Sequence, residues 1–164
     1  MITEYHFPTP VYIKEIPNAV QLNQYLEQKI IKWSQQDKGV SKTNAGGWHS
    51  TTDMNQKEEY NVLTKELFAM HLVLLHPNAL FSGVYWIKAP QKSGKFMIYD
   101  PRPGVHTNMP SRKEGALPPA LWREVHYEPR AGTAVMFPAW LWHEVKPNES
   151  NDTRISVSFN FLQR

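Results

Sequence analysis

His143 and Arg154 are the residues whose types and spacing most directly suggest chemistry. They lie in Trp140-Leu141-Trp142-His143-Glu144-Val145 and Arg154-Ile155-Ser156-Val157-Ser158-Phe159-Asn160, eleven positions apart. A neutral imidazole can hold a metal, and a guanidinium can grip a carboxylate with two parallel hydrogen bonds. The offset fits two adjacent antiparallel strands joined by the polar turn Pro147-Asn148-Glu149-Ser150-Asn151-Asp152, with both side chains pointing into one barrel. Along the second segment Arg154, Ser156, Ser158 and Asn160 share one face and Ile155, Val157 and Phe159 the other. Small polar residues on one face suit a wet barrel interior better than a core. A metal beside a carboxylate clamp is what an iron enzyme that consumes an α-keto acid requires.

Such a barrel also needs a ligand on an earlier strand, where residues i and i+2 face the same way and can occupy two positions on one metal. Leu74-Leu75-His76-Pro77-Asn78 precedes the first strongly β-type segment and offers His76 as a metal ligand to pair with His143. Ser156 would help Arg154 hold the carboxylate. Tyr85 and Trp86 alternate across one strand, so one should line the cavity and the other pack outside; Tyr85 could donate to a keto-acid carboxylate, with plain packing an equal alternative. Trp48, Trp140 and Trp142 could stack on a substrate ring, although large aromatics are more often structural. His71 and His126 read as hydrogen-bonded structural residues and His106 as a solvated one, while Asp100 and Arg102 read as a local ion pair.

The elements that must position these residues are legible from periodicity. Residues 10–16 are rich in β-branched and aromatic side chains and predict an edge strand. Leu22, Leu26, Ile30 and Trp33 recur at helical spacing and predict a covering helix over 18–36. A second helix is expected over 55–70, capped by Asp53 and buried through Leu63, Leu67 and Met70. Short β-type segments then follow at 82–89, 95–99, 123–127, 133–137, 142–145 and 153–161. No helix intervenes between them, which indicates an antiparallel double sheet, best fitted by a small double-stranded β-helix (jelly roll) with one or two N-terminal helices over it. The stretch 100–122, with five prolines and two glycines, reads as a long surface loop of the kind that lies over a barrel mouth.

Composition narrows the chemistry further. The chain has 164 residues, 41% of them hydrophobic and 20% charged, which fits one domain spanning 1–164. It contains no cysteine, so disulfides, thiolate metal sites and a cysteine nucleophile are excluded and any metal must sit on nitrogen and oxygen. A net charge of +3 without a dense basic run argues against nucleic acid as a partner. No cationic leader or membrane-length apolar run is evident, and a cytoplasmic location is expected. The expected partner is a small-molecule or peptide substrate, and the apolar first helix could serve a homodimer.

Several motifs carry a resemblance beyond these patterns. They are Phe7-Pro8-Thr9-Pro10, Gly46-Gly47-Trp48-His49-Ser50, His76-Pro77-Asn78, Ser82-Gly83-Val84-Tyr85-Trp86-Ile87-Lys88-Ala89-Pro90, Asp100-Pro101-Arg102, and the run from Phe137 to Asn160. In these the chain resembles the 2-oxoglutarate/Fe(II)-dependent oxygenases of marine bacteria and their phages, over nearly its whole length. The resemblance implies a double-stranded β-helix, Fe(II), and 2-oxoglutarate as co-substrate, decarboxylated to succinate as the substrate is oxidised. One departure stands out: Leu74 occupies the first position of the His-x-His-Pro-Asn pattern, after a segment that looks shortened. His71, Asn78 or a water would then have to supply the third ligand. Two readings compete with an oxygenase: a degenerate member that binds a small acid or a partner without turnover, and a cupin-like enzyme that uses no keto acid.

Overall fold

The structure, a computed structural model, describes residues 2, 8–42, 46–72, 80–107 and 122–162. The first strand, β1 (Tyr12–Glu15), leads into helix α1 (Ala19–Gln36). Two 3-10 turns, Met54–Gln56 and Glu58–Tyr60, run into α2 (Asn61–Leu72). The chain then forms β2 (Phe81–Lys88), β3 (Phe96–Tyr99), a short helix α3 (Pro103–Thr107), β4 (Glu124–Tyr127), β5 (Thr133–Pro138), β6 (His143–Val145) and β7 (Ile155–Phe161).

The strands make two antiparallel sheets, one ordered β1-β5-β2-β7 and the other β4-β3-β6. They close on each other through Val84, Trp86, Val135 and Phe137 on the larger sheet and Phe96 and Ile98 on the smaller, with Leu141 beside them. On its far side the larger sheet is covered by helices: Leu26 and Ile30 of α1 and Leu63, Leu67 and Met70 of α2 pack on Phe81, Tyr85, Ile87, Ala134 and Met136. Strand β5 is therefore buried along its whole length and β2 along nearly all of its own. That explains why Thr-Ala-Val-Met-Phe reads as a continuous apolar run and not as an alternation. The arrangement is a double-stranded β-helix with two covering helices.

Helix α1 and its buried stripe match the expected periodicity, with Leu26 fully enclosed and Ile30 buried, and Leu22 and Trp33 packed against them. The second helix is shorter than expected. Asp53 makes no side-chain cap, because its carboxylate accepts from the Thr51 hydroxyl at 2.5 Å and pairs with Lys57 at 3.0 Å. With those oxygens engaged the chain closes 3-10 turns first, and the α-helix begins only at Asn61. The expected loop at 100–122 begins with the short helix α3, and Asp100 and Arg102 form the anticipated ion pair there. Residues 108–121 lie outside the described part.

One structural expectation is corrected. His143 and Arg154 do not sit on hydrogen-bonded neighbouring strands, because β6 is an edge of the smaller sheet and β7 an edge of the larger. The chain between them changes sheets, as a β-helix must at each turn. The polar turn packs on itself, with Asn148 donating to the Asp152 carbonyl at 2.8 Å and Ser150 to the same oxygen at 3.0 Å.

Candidate active site

Strand β7 sets the polar wall of the site. Its register on β2 pairs Ser156 with Trp86, Ser158 with Val84 and Asn160 with Ser82, while Val157, Phe159 and Phe161 pair with Tyr85, Gly83 and Phe81. Cross-strand partners share a face, so Ser156, Ser158 and Asn160 look toward the smaller sheet and the apolar trio toward the helices. The three polar residues are exposed although they lie on the inter-sheet side. The space between the two edge strands is therefore an open-sided, wetted cleft, as the alternation in sequence predicted.

Arg154 closes one end of that cleft. Its Nη1 donates to the Ser93 carbonyl and, at 3.0 Å, to the Lys146 carbonyl. Both Nη1 hydrogens are thus spent on main chain, which leaves the Nε/Nη2 edge, the side that can take a carboxylate in bidentate fashion. No carboxylate partner is present among the described residues, and partial burial lowers the guanidinium pKa from its ordinary value. Arginine remains charged, so the desolvation stands uncompensated until an anion arrives. Gly94 makes this seating possible. It adopts φ +90, and a Cβ there would lie 2.5 Å from the Pro147 carbonyl, 2.8 Å from Arg154 Nη1 and closer still to the Lys146 carbonyl.

His143 stands at the other end, on the inner face of β6 opposite Ile98 of β3. Its ring packs on Phe137 at 4.6 Å and Phe96 at 5.9 Å. Nδ1 lies 2.7 Å from the Leu141 carbonyl, which can only accept, so Nδ1 carries the proton and Nε2 of the neutral ring presents its lone pair. A backbone carbonyl that fixes the tautomer in this way is the usual support for a metal-ligating imidazole. The spacing along β6 from His143 to Lys146, whose carbonyl holds Arg154, corresponds to about 10 Å of strand.

The other predicted residues divide clearly. Tyr85 is not in the cleft. It is buried on the helix side of the sheet, where its hydroxyl donates to Asn23 of α1 at 2.5 Å, and burial pushes its pKa up to about 12. The strand partner on the cleft side is Trp86, which sequence reasoning left as packing. His71 also faces the helix side, stacked on Phe161 at 4.4 Å, so it cannot join His143 on one metal. His76, with Leu74 and Asn78, lies outside the described residues, and among those described no three His, Asp or Glu side chains are grouped for a metal. Trp48 is structural, packed edge-on to Trp33 at 5.6 Å and donating to the Asp37 carbonyl at 2.8 Å. Trp140 and Trp142 are exposed beside His143.

Comparison with known proteins bears on the family of the chain. A family described as "Putative 2OG-Fe(II) oxygenase" matches residues 60–160, which include β2 to β6, nearly all of β7, His143 and Arg154. The solved structures include a Pseudomonas putida prolyl-4-hydroxylase at 13% identity and TM-score 0.48, covering 95% of this chain and 93% of that one. A search of the curated proteins gives no match. Among the described residues no helix is long and apolar enough to cross a membrane. The family match spans more than half of the sequence, and the chain belongs to the 2OG-Fe(II) oxygenases, enzymes whose cofactors are Fe(II) and 2-oxoglutarate.

Proposed function

We propose that this chain is a hydroxylase within that family, acting in the cytoplasm on a small molecule or peptide that enters the open side of the cleft. The observation that carries the reading is the opposition of a tautomer-fixed imidazole and a guanidinium pinned on one side, across a polar-walled cleft. Arg154 and Ser156 bind the distal carboxylate of 2-oxoglutarate, and the fixed Nε2 of His143 takes one metal position, with His76 as its partner ligand. The chemistry supplied there when the site is loaded is oxygen activation coupled to decarboxylation of the keto acid, giving succinate and an oxidised substrate. The chain's own contribution is geometry. Trp86, Phe96 and Phe137 keep the floor of the cleft dry, and the carbonyls of Ser93 and Lys146 hold the guanidinium in one orientation. Exposed Trp140 and Trp142 sit where a substrate would approach.

Anaerobic calorimetry with Fe(II) and 2-oxoglutarate tests the reading: saturable binding of both is expected, and binding of neither would sink it. A second reading, an acid-binding barrel without turnover, is favoured by one residue, Leu74 in place of the first histidine of the pattern. Leu74→His separates the two. If iron affinity and keto-acid decarboxylation both rise from nothing, the natural chain is the binding form; if both are already present and change little, another group completes the wild-type site.

A further inference from the structure

We propose that Trp86 is a further residue of the acid pocket, its indole N–H donating to the same carboxylate that Arg154 receives; this rests on the acid-binding reading of Arg154 above. Trp86 is 1% exposed and its Nε1 has no hydrogen-bond partner. A buried indole normally finds an acceptor for its N–H, and leaving it unpaired costs free energy. Its position places it at the arginine end. Trp86 faces Ser156 across the β2–β7 pair, and a register shift between Trp86 and Lys88 turns the strand at that point. Its ring packs edge-on to Phe96 at 6.2 Å, and Phe96 pairs with Val145, next to the Lys146 carbonyl that holds Arg154.

Two neighbours share the same condition. Thr133 follows Ala134 in the β5–β2 register and so stands beside Trp86, where Gly132 N donates to the Trp86 carbonyl at 2.8 Å; its Oγ1 is buried without a partner. Ser93, whose carbonyl binds Arg154, is 2% exposed and its Oγ is likewise unpartnered. Of the four unpartnered buried side-chain atoms among the described residues, three therefore belong to residues around the Arg154 end. A hydroxyl can donate or accept, but an indole N–H can only donate, so the missing partner is an acceptor. Beside a partly desolvated guanidinium that lacks a carboxylate, an anion is the acceptor that answers both the indole N–H and the charge, and a carboxylate suits the free Nε/Nη2 edge.

The test is Trp86→Phe, which keeps a flat aromatic ring in the floor and removes the N–H together with the rest of the five-membered ring. Binding of 2-oxoglutarate in the presence of Mn(II) is measured by calorimetry on the full chain, with Arg154→Ala alongside. The expected result is 2-oxoglutarate binding weakened about ten-fold, in a protein that still folds, its ligand-free melting temperature lowered by the volume lost from the core less the relief of an unpaired buried donor. If Arg154→Ala abolishes binding while Trp86→Phe leaves it within two-fold, the role of Trp86 is overturned and the oxygenase reading stands. If the wild type itself does not bind 2-oxoglutarate, both fall. Should Trp86→Phe fail to fold, Trp86→Tyr decides, since its hydroxyl restores a donor near the ring edge: affinity within a few-fold of wild type supports the proposal, and loss of binding in a folded protein overturns it.

Discussion

The two ends of the cleft are built differently. The arginine end is enclosed and over-determined: Arg154 is fixed by two carbonyls, seated over a glycine that admits no side chain, and flanked by buried donors on Trp86, Thr133 and Ser93. The histidine end is exposed and lightly held. His143 lies on a three-residue edge strand, all of it exposed, and its orientation depends on one bond to the Leu141 carbonyl and on two aromatic rings. The contrast follows from topology. A carboxylate clamp can be assembled where β2, the turn after it and β7 converge, inside the packed body of the fold. A metal site must gather ligands from an edge strand and from the segment before β2, where Leu74 breaks the pattern. On the proposed reading, acid binding is therefore the more robust of the two functions, and iron binding the one most exposed to sequence change.

The largest effect expected is on the enclosed end. Arg154→Ala removes two charge-assisted hydrogen bonds, each worth about 1.5–3 kcal/mol, so 2-oxoglutarate affinity should fall by roughly two orders of magnitude or more. Glutarate, which has both carboxylates but no keto group, should lose its binding equally. His143→Ala should do the opposite: Mn(II) binding should weaken by about a hundred-fold or more, at or above the upper end of the cost of losing an outer-shell partner, while glutarate binding stays within a few-fold of wild type. If His143→Ala abolishes glutarate binding too, the two ends are not separable and the comparison fails. Gly94→Ala sharpens the same point. The new methyl group collides with the main chain that holds Arg154, and the residue keeps a left-handed φ that only glycine adopts without strain. Calorimetry should show 2-oxoglutarate weakened about ten-fold or more, with Mn(II) binding retained.

The sequence conveyed most of the fold and only one level of the site. Strands announced themselves by β-branched and aromatic runs between prolines and glycines, and the Ser156-Ser158-Asn160 face by simple parity. The sheet change between β6 and β7 was not legible, because a polar turn of that length suits a hairpin and a crossover between packed sheets equally well. The choice between Tyr85 and Trp86 was not legible from alternation. Strand β2 is buried on both faces, so its burial pattern carries no alternation to say which aromatic meets the cleft. An additional signal was available: Tyr85 needs an acceptor and Asn23 lies on the helix stripe that covers that face, three residues before Leu26. Asp53 does not cap the second helix because one carboxylate oxygen accepts from Thr51 and the other pairs with Lys57, two partners that composition alone does not rank against a helix N–H.

The smallest expected effect concerns how the arginine end is tethered. Lys88, at the end of β2, pairs with Glu27 of α1 at 3.2 Å and with Asp152 at 3.0 Å, and so ties the turn before Arg154 to the helix layer. Lys88 holds the Asp152 carboxyl below its ordinary pKa of 3.8, helped by the Thr153 N–H, and Asp152 and Glu27 together raise that of Lys88. For a carboxyl with a depressed folded pKa, the stabilisation is complete above the ordinary value and is lost as pH falls through the folded one. The tether should therefore be intact from about pH 4 up to the alkaline range above the ordinary Lys88 value of 10.5, and loosen in stronger acid, as Asp152 protonates, or in stronger alkali, as Lys88 loses its proton. Asp152→Asn reproduces that loosening at neutral pH without removing the hydrogen bonds the turn makes through the Asp152 carbonyl. Because the pair is solvent-accessible and screened, 2-oxoglutarate affinity should fall by only about two-fold, and added salt should narrow the gap between variant and wild type. A ten-fold loss insensitive to salt would mean that the turn, and not the Ser93 and Lys146 carbonyls, holds Arg154 in place, and the enclosed end would then be as dependent on a surface contact as the exposed one.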